Sequence, residues 1–277
     1  MRKHGFYVVA LLCVLALAVQ GSCLAFGKKL SSGCEIYALQ YGTSVYPARS
    51  VYADDRSGEG VDFAWLLYLV KLDSRIVLVD TGFDDARLVK RFRLQNFTDP
   101  VALLAELDIR PEQITDIIIT HGHFDHVLLV HKFTRARIHI QERDYNYMEA
   151  NGDVPSFAPA VGYMKKYPAM LDLLDGDASL GDDIELRLSG GHTFGSQVAV
   201  LFTRGKTYYF IGDESYLLEG LRQGKTNALY DSRARNEKIV REMAEKLTDP
   251  RNEILPMHDP EIMKRYPRVT PHIVKIL

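Results

Sequence analysis

The stretch Thr120-His121-Gly122-His123-Phe124-Asp125-His126 places three imidazoles and one carboxylate within six residues. It follows a short apolar run over residues 117–119, so the motif is expected on a loop at a strand end, where a rigid scaffold presents ligands. Histidine and aspartate suit zinc and similar metals. In an extended loop, His121 and His123 point the same way and are expected to bind one metal together. Asp125 and His126 then turn toward a second metal.

Three later residues of metal-binding type also follow apolar strand patterns. His192 comes after Gly190-Gly191, Asp213 after Phe210-Ile211-Gly212, and His258 after Ile254-Leu255-Pro256-Met257. Singly, an aspartate after glycine is usually a turn residue, and a lone histidine is usually not a ligand. The repetition after the histidine-rich loop indicates that the three complete a site for two divalent metal ions. Zinc is the default, although such ligands also accept iron, manganese or cobalt.

Strand and helix patterns alternate along the rest of the chain. Residues 63–72 and 75–80 predict a hairpin around Asp73-Ser74, and their continuous apolar character predicts strands covered on both faces. Other strands are predicted at residues 35–40, 116–120, 137–141, 184–189, 197–203, 207–211 and 253–257. Helices are predicted at residues 101–107, with Asp99 as N-cap and Pro100 at the first position, and at 142–150 and 236–247. This order predicts two packed sheets with helices outside.

The stretch over residues 151–177 is broken by glycine and proline. We interpret it either as a helical insertion or lid over a site, or as an ordinary surface connection. The charge of the chain is nearly balanced, with 34 basic and 36 acidic side chains. Neither nucleic-acid binding nor a polybasic membrane patch is therefore expected, and a small molecule is the expected partner.

The N-terminus carries an export signal. Arg2, Lys3 and His4 precede an apolar run over residues 6–19 that is too short to span a bilayer comfortably. The pattern predicts a signal peptide at residues 1–25 and a single domain at 26–277. Gly21-Ser22-Cys23 is similar to the end of a bacterial lipobox, but Gln20 stands where an aliphatic residue is expected. A periplasmic or secreted protein and a lipoprotein tethered to the membrane through Cys23 both stay open.

The combined pattern resembles the metallo-β-lactamase superfamily. Leu78-Val79-Asp80-Thr81-Gly82 and Gly191-His192-Thr193 are similar to two characteristic turns of that family, and the resemblance covers residues 37–259. It implies an α+β fold, the four-layer αββα sandwich. It also implies the roles of the ligands: His121, His123 and His192 bind the first metal, Asp125, His126 and His258 bind the second, Asp213 bridges the two, and Asp80 supports the ligand loops.

A shorter match narrows the subgroup. Asp213-Glu214-Ser215-Tyr216 is similar to the Asp-x-Ser-Tyr of N-acyl homoserine lactonases, in which the tyrosine points at the substrate. Gln197 and the Met257-His258-Asp259 ending also fit that group. The resemblance implies hydrolysis of a small ester or lactone by a metal-bridging hydroxide. Asp125 and Tyr216 are the predicted catalytic residues: Asp125 orients the hydroxide and passes a proton to the leaving group, and Tyr216 donates a hydrogen bond to the developing oxyanion.

Three positions depart from the patterns of the family and of the lactonases. Leu128-Leu129 replace the usual Gly-Gly pair after the motif, and Phe194 replaces the proline after Gly-His-Thr. Because glycines allow positive φ and close backbone approach, the leucines imply that the following helix packs differently beneath the site.

Other functions therefore stay open. A glyoxalase II-like thioesterase would use basic residues near the C-terminus, where Lys264, Arg265 and Arg268 are available. A non-catalytic metal-binding surface lipoprotein would explain the leucine pair. A phosphodiesterase also uses two metals. A β-lactamase is disfavoured, because Asp213 replaces the cysteine that many of those enzymes carry at that point.

Overall fold

Two β-sheets form the centre of the molecule, which is described by a computed structural model over residues 30–31, 33–154 and 157–277. The first sheet contains β1 (Cys34–Pro47), β2 (Gly60–Leu72), β3 (Ile76–Val79), β4 (Asp116–Ile118), β5 (Arg137–Gln141), β6 (Leu171–Leu174), β12 (Arg268–Thr270) and β13 (Ile273–Lys275). The second contains β7 (Ala178–Leu180), β8 (Ile184–Leu188), β9 (Gln197–Phe202), β10 (Thr207–Phe210) and β11 (Asn252–Leu255). The strand orders are β12-β13-β1-β2-β3-β4-β5-β6 and β11-β10-β9-β8-β7.

Both sheets are mixed and are flanked by helices, which confirms the predicted αββα arrangement. The helices are α1 (Ala48–Val51), α2 (Ala86–Arg91), α3 (Pro100–Ala105), α4 (Phe124–Val127), α5 (Glu142–Ala150), α6 (Ala158–Lys166), α7 (Leu218–Arg222), α8 (Arg233–Lys246) and α9 (Pro260–Arg265). Short 3-10 turns lie at Pro111–Gln113, Val130–Lys132, Pro168–Met170 and Gly212–Glu214. No helix within the described ranges is long and apolar enough to cross a membrane.

The central strand β2 shows why its sequence is apolar throughout. Trp65, Leu67 and Leu69 belong to one hydrophobic cluster, whereas their neighbours Leu66 and Tyr68 belong to another. Successive side chains of a strand point to opposite faces, so both faces of β2 are buried. The second cluster also contains apolar side chains of β8 to β11, which places it between the two sheets.

Most predicted elements agree with the structure to within a few residues. β2 and β3 pair antiparallel as the predicted hairpin. Helix α3 begins at Pro100, and the Asp99 carboxylate accepts a hydrogen bond from the Val101 amide at 2.8 Å. Strand β1 extends beyond the predicted residues 35–40. Several short elements have sequence patterns too brief to be recognised: α1, β7, α7, α9, β12 and β13.

The described part of residues 151–177 contains the expected helix, α6, but does not form a lid over the candidate site. Helix α6 buries Ala160, Val161 and Met164 in the first hydrophobic cluster, and β6 adds a parallel edge strand to the first sheet. None of the described residues of this stretch lines the cavity at the site. The predicted signal peptide at residues 1–25 and the lipid-acceptor Cys23 lie outside the described residues.

A buried histidine ties together the parallel strands β4, β5 and β6. His139 Nδ1 lies 2.8 Å from Asp172 Oδ2, and Nε2 lies 2.9 Å from Asp116 Oδ1. The imidazole is 1% exposed, so both of its polar atoms depend on these carboxylates. The histidine therefore joins three neighbouring strands of the sheet that presents the ligand loop.

We expect His139→Leu to lower the free energy of unfolding by about 2–4 kcal/mol, because it leaves two carboxylates without their partner. The measurement is the urea midpoint followed by circular dichroism. His272→Leu is the matched control, since no hydrogen bond of the His272 ring to a described residue is found, and a shift within about 0.5 kcal/mol is expected there. Equal midpoints for the two variants would contradict a structural role for His139.

Candidate metal centre

Each candidate ligand lies just beyond the end of a strand. The loop from His121 to His126 follows β4, His192 follows β8, Asp213 follows β10 and His258 follows β11. Strand ends fix the positions of these backbones because the ladder hydrogen bonds hold the strands in register. The structure therefore brings residues that are up to 137 positions apart in the chain into one site.

Three imidazoles form the first group of candidate ligands. His123 Nδ1 lies 2.9 Å from His121 Nε2 and 3.0 Å from His192 Nε2. Asp213 completes this group, with Oδ2 at 3.7 Å from His121 Nε2 and 3.6 Å from His192 Nε2. One ring nitrogen of each histidine thus faces a common point, as ligands of a single ion do.

The second group contains Asp125, His126, Asp213 and His258. Asp125 Oδ2 lies 3.4 Å from His126 Nε2 and 3.5 Å from His258 Nε2. Asp213 Oδ1 lies 3.2 Å from His258 Nε2. Asp213 belongs to both groups, in the position expected of a bridging carboxylate.

Unpaired atoms show that this donor set fits metal ions. His126 Nε2 and Asp213 Oδ1 are buried and have no hydrogen-bond partner among the described residues. A buried polar atom without a partner costs free energy that coordination of a cation would offset. Imidazole and carboxylate donors together suit a borderline divalent ion such as zinc, and each of the two groups is a candidate site for a metal ion.

The ligands are oriented by hydrogen bonds on their far sides. His192 Nδ1 lies 2.9 Å from the Leu229 carbonyl, and His258 Nδ1 lies 3.0 Å from the Ala64 carbonyl. Both bonds hold Nδ1 as the donor to a carbonyl, so Nε2 is the ring nitrogen that faces the other candidate ligands and could bind a metal.

Asp80 performs this task for His126, as the family resemblance implied. Its Oδ2 lies 2.7 Å from His126 Nδ1, and its two oxygens accept hydrogen bonds from the amide and hydroxyl of Thr120, each at 2.7 Å. Asp80 adopts φ 61°, a left-handed conformation that aspartate tolerates better than most residues. This buried side chain touches the ligand loop but does not reach the cavity.

The pKa values of the ligands differ between the groups. Burial, followed by the neighbouring histidines, holds the pKa of His121 well below its usual value, and burial lowers that of His123 to about 4. These imidazoles are therefore neutral at pH 7, the form that binds metals. In the second group, burial lowers the pKa of His258, but the negative charges of Asp213 and Asp125 outweigh burial and raise this pKa to about 9. A bound cation would replace that proton as the partner of the carboxylates.

Two buried carboxylates that the sequence analysis did not select hold the ligand loops together. Asp144 accepts hydrogen bonds from the amides of Gly122 (2.7 Å) and Gly195 (2.9 Å) and from the hydroxyl of Thr193 (2.8 Å). It thereby joins the loop of His121 and His123 to the loop of His192. No sequence signal marks Asp144, because it lies inside helix α5.

Glu214 holds the His192 loop from the other side. Its Oε1 accepts from the amides of Gly191 (3.1 Å) and His192 (3.2 Å) and from the hydroxyl of Ser196 (2.6 Å). Its Oε2 accepts from Asn236 Nδ2 at 2.8 Å. A Cβ on residue 191 would collide with this carboxylate, which explains the glycine before His192.

We expect Glu214→Gln to weaken metal binding by about 10–100-fold, the usual effect of losing a group that orients a ligand. The amide has one acceptor oxygen and cannot serve the same four donors. The measurement is the dissociation constant of zinc in competition with a chromophoric chelator. Glu219→Gln, at an exposed position on α7, is the control. Unchanged zinc affinity in Glu214→Gln would show that the His192 loop keeps its position without this carboxylate.

Tyr216 lies beside both groups in a cavity of about 540 Å³. Its ring centroid is 5.7 Å from that of His258 and 5.9 Å from that of His192. The hydroxyl has no hydrogen-bond partner among the described residues, although the side chain is buried. Burial, then Asp213 and Asp125, raise the pKa of Tyr216 well above its usual value, so it stays a proton donor. A cavity of about 570 Å³ elsewhere, against α8, contains none of the candidate ligands.

The leucine pair after the motif does not disturb the site. Leu128 and Leu129 have φ values of −63° and −94°, which leucine adopts without strain. Both are buried in the first hydrophobic cluster, and the Leu129 amide donates to Thr81 Oγ1 at 3.2 Å. Helix α4 ends at Val127, just before the pair, and a 3-10 turn at Val130–Lys132 follows it, while all seven candidate ligands still converge.

Comparison with known families and proteins agrees with this geometry. Residues 66–258 match the family model described as the metallo-beta-lactamase superfamily. A curated N-acyl homoserine lactonase from Bacillus sp is 24% identical over 215 residues, which cover 72% of this chain and 82% of that protein.

Solved structures share the fold. A quorum-quenching N-acyl homoserine lactone lactonase superposes with a TM-score of 0.71 at 21% identity, over 87% of this chain and 98% of that one. A dizinc quorum-quenching lactonase bound to a product gives a TM-score of 0.65 at 18% identity, over 90% and 95% of the chains. At these identities the structural matches show a common fold.

Proposed function

Because the chain belongs to the metallo-beta-lactamase superfamily, we propose that it is a metal-dependent hydrolase that cleaves a small ester or lactone, of the N-acyl homoserine lactone type. The observation that carries the proposal is the convergence of seven His and Asp donors into two groups that share Asp213, with Tyr216 beside them in one cavity. The curated relative and the similar solved structures that are N-acyl homoserine lactonases support the choice of substrate class.

The proposed cofactors are two divalent metal ions, with zinc as the default. His121, His123 and His192 would hold one ion, Asp125, His126 and His258 the other, and Asp213 would hold both. Zinc ions bound there would lower the pKa of a bound water to about 7 and so supply a nucleophile at neutral pH.

The residues of the chain have separate roles in this scheme. Asp125 lies at the cavity with Oδ2 facing two imidazoles, where a carboxylate can orient the attacking oxygen and carry a proton to the leaving group. The Tyr216 hydroxyl, which has no hydrogen-bond partner among the described residues, can donate a hydrogen bond to the oxygen that gains charge. The aromatic side chains around the cavity exclude water and hold the apolar part of the substrate.

We expect Tyr216→Phe to lower kcat by about 10²-fold, the usual loss for one oxyanion donor. Bound metal should stay at the wild-type level, because the hydroxyl is not among the candidate ligands. Steady-state kinetics and metal analysis on the same sample measure both quantities. Tyr230→Phe, outside the cavity lining, is the control. Wild-type kcat in Tyr216→Phe would remove Tyr216 from the mechanism.

A panel of substrates tests the proposed activity. Purified protein with its metal content determined is offered a lactone, an aryl ester, a thioester, a β-lactam and a phosphodiester. We expect the lactone or ester to give the highest kcat/KM. Two equivalents of metal without turnover of any substrate would instead favour the non-catalytic metal-binding protein, and a preference for the thioester would favour the glyoxalase II-like alternative.

The basic residues near the C-terminus that a glyoxalase II-like thioesterase would use do not line the cavity at the candidate metal centre. Arg265 pairs with Glu253 at 3.0 Å, and Arg268 donates to the Pro271 carbonyl at 2.7 Å. Lys264 and Arg268 line a different cavity of about 310 Å³. The three basic residues are therefore not arranged to bind the carboxylates of such a substrate at the metal centre.

We also propose that the protein is exported, on the signal pattern of residues 1–25 alone. Mass spectrometry of the mature N-terminus tests this. Acylated Cys23 would identify a membrane-tethered lipoprotein, and an unmodified start near residue 26 would identify a periplasmic or secreted protein. A mature chain that still begins at Met1 would contradict export by cleavage.

A further inference from the structure

The cavity above the metal centre has an aromatic wall. Tyr46 and Phe63 stack with centroids 4.6 Å apart and an interplanar angle of 24°, and Phe92 and Phe124 stack at 4.9 Å and 13°. Phe63 in turn stacks on the His258 ring at 4.2 Å. The wall therefore runs from the candidate ligands outward and offers ring faces to an apolar group.

One arginine lines this otherwise apolar cavity. Arg49, on the short helix α1, is its only lysine or arginine within the described chain. Its exposed guanidinium has no ion pair and no hydrogen bond with any described residue. The other charged groups of the lining are Asp125, Asp213 and the imidazoles, which already face one another at the metal centre.

A second arginine adds positive charge on the same side. Arg91 lies with Cζ 5.6 Å from the centroid of Phe92, and its charge opposes the rise in the pKa of Tyr46 that burial causes. Arg91 has no ion-pair partner among the described residues either. Two arginines without acidic partners thus lie beside the aromatic wall, a composition suited to an anion attached to an apolar body.

We propose that the cavity selects substrates in which an apolar body carries a carboxylate at the end away from the scissile bond, and that Arg49 binds this carboxylate. This inference rests on the proposed ester or lactone hydrolysis. Because an N-acyl homoserine lactone has no free carboxylate, the inference shifts the preferred substrate from that neutral type to an ester or lactone with a distal negative charge. The reactive carbonyl lies at the two ligand groups, the apolar body lies on the aromatic wall, and the carboxylate reaches Arg49 at the mouth. Guanidinium and carboxylate form charge-assisted hydrogen bonds, which the amide of a neutral analogue cannot match.

Binding is tested without turnover. Trp65 is the only tryptophan of the chain and lines the cavity, so its fluorescence reports ligands there. Metal-loaded protein is titrated with hippurate and with hippuramide. The two ligands differ only in the terminal group, which is a carboxylate in hippurate and a carboxamide in hippuramide, and both resist hydrolysis. We expect wild type to bind hippurate about tenfold more tightly than hippuramide, a difference of about 1.4 kcal/mol.

The variant Arg49→Gln should bring the ratio of the two dissociation constants to about one, because hippurate loses its charged partner. Arg56→Gln removes the same charge at an exposed position outside this cavity and should keep the wild-type ratio. Equal binding of both ligands to wild type would overturn the inference. So would a preference for hippurate that survives in Arg49→Gln, since the carboxylate would then be held by the metal centre.

Turnover separates this inference from the proposed function. The 4-nitrophenyl monoesters of terephthalic acid and of terephthalamic acid share a leaving group and differ only in the distal charge. We expect wild type, but not Arg49→Gln, to favour the acid in kcat/KM. Hydrolysis of both at equal kcat/KM by wild type would overturn the inference and leave the proposed function standing. Binding that depends on Arg49 without hydrolysis of any ester would remove the proposed function and uphold the binding site.

Discussion

Asp213→Ala is expected to lower kcat/KM by at least about 10³-fold, equivalent to about 4 kcal/mol of transition-state stabilisation. Asp213 is the one residue that belongs to both ligand groups. Its oxygens lie within 3.7 Å of four imidazole nitrogens, those of His121, His126, His192 and His258. Loss of the carboxylate removes the only negative charge that the groups share, so bound metal should fall below two equivalents. Kinetics and elemental analysis of the same preparation measure both effects.

The control for this prediction is Asp54→Ala, at an exposed carboxylate outside the cavity. Circular dichroism of both variants distinguishes loss of the site from loss of the fold. A folded Asp213→Ala protein that keeps two tightly bound metal ions and wild-type kcat/KM would show that Asp213 is a packing residue. The bridging role would then have to be abandoned.

The second large effect is expected for Asp125→Asn, which keeps the shape of the side chain and one carbonyl oxygen. The variant loses the charge and the ability to accept a proton. We expect kcat to fall by about 10²–10⁴-fold, the contribution of a positioned general acid or base. The measurement is kcat under saturating substrate and with metal added in excess, so that weaker metal binding does not account for the loss.

Asp177→Asn, at an exposed position near the other cavity, is the matched control for Asp125→Asn. Full activity in Asp125→Asn would contradict both the proton transfer and the orientation of the nucleophile by this residue. If kcat of Asp125→Asn is low without added metal but reaches the wild-type value with metal in excess, the role of Asp125 is limited to holding the ion.

The fold and the candidate ligands could be predicted largely from the sequence, because their signals are local. Continuous apolar strands such as β2 and β3 need cover on both faces, and this pattern identifies packed sheets. The ligand loop contains four of the seven donors within six residues. The remaining three donors follow the ends of strands, so recognition of the strands also located the ligands.

The supporting groups could not be predicted in this way, since their roles depend on contacts between distant segments. Asp144 meets the amide of Gly195, 51 positions later, and nothing in its own helix marks it as different from other acidic residues. The sequence did not indicate Arg49, because its helix α1 has only four residues. Arg49 lines the cavity because α1 connects the long strands β1 and β2, whose course brings the helix there. The lid interpretation of residues 151–177 was wrong because the apolar residues of that stretch pack into the first hydrophobic cluster.

The central claim is that the two ligand groups bind two divalent metal ions. Its most direct test is the metal stoichiometry of the purified protein, determined by inductively coupled plasma mass spectrometry after equilibration with excess zinc and removal of unbound ions. The geometry of the seven donors predicts two equivalents of zinc per chain in the wild type. A wild-type protein that is folded and retains less than one equivalent would contradict the claim.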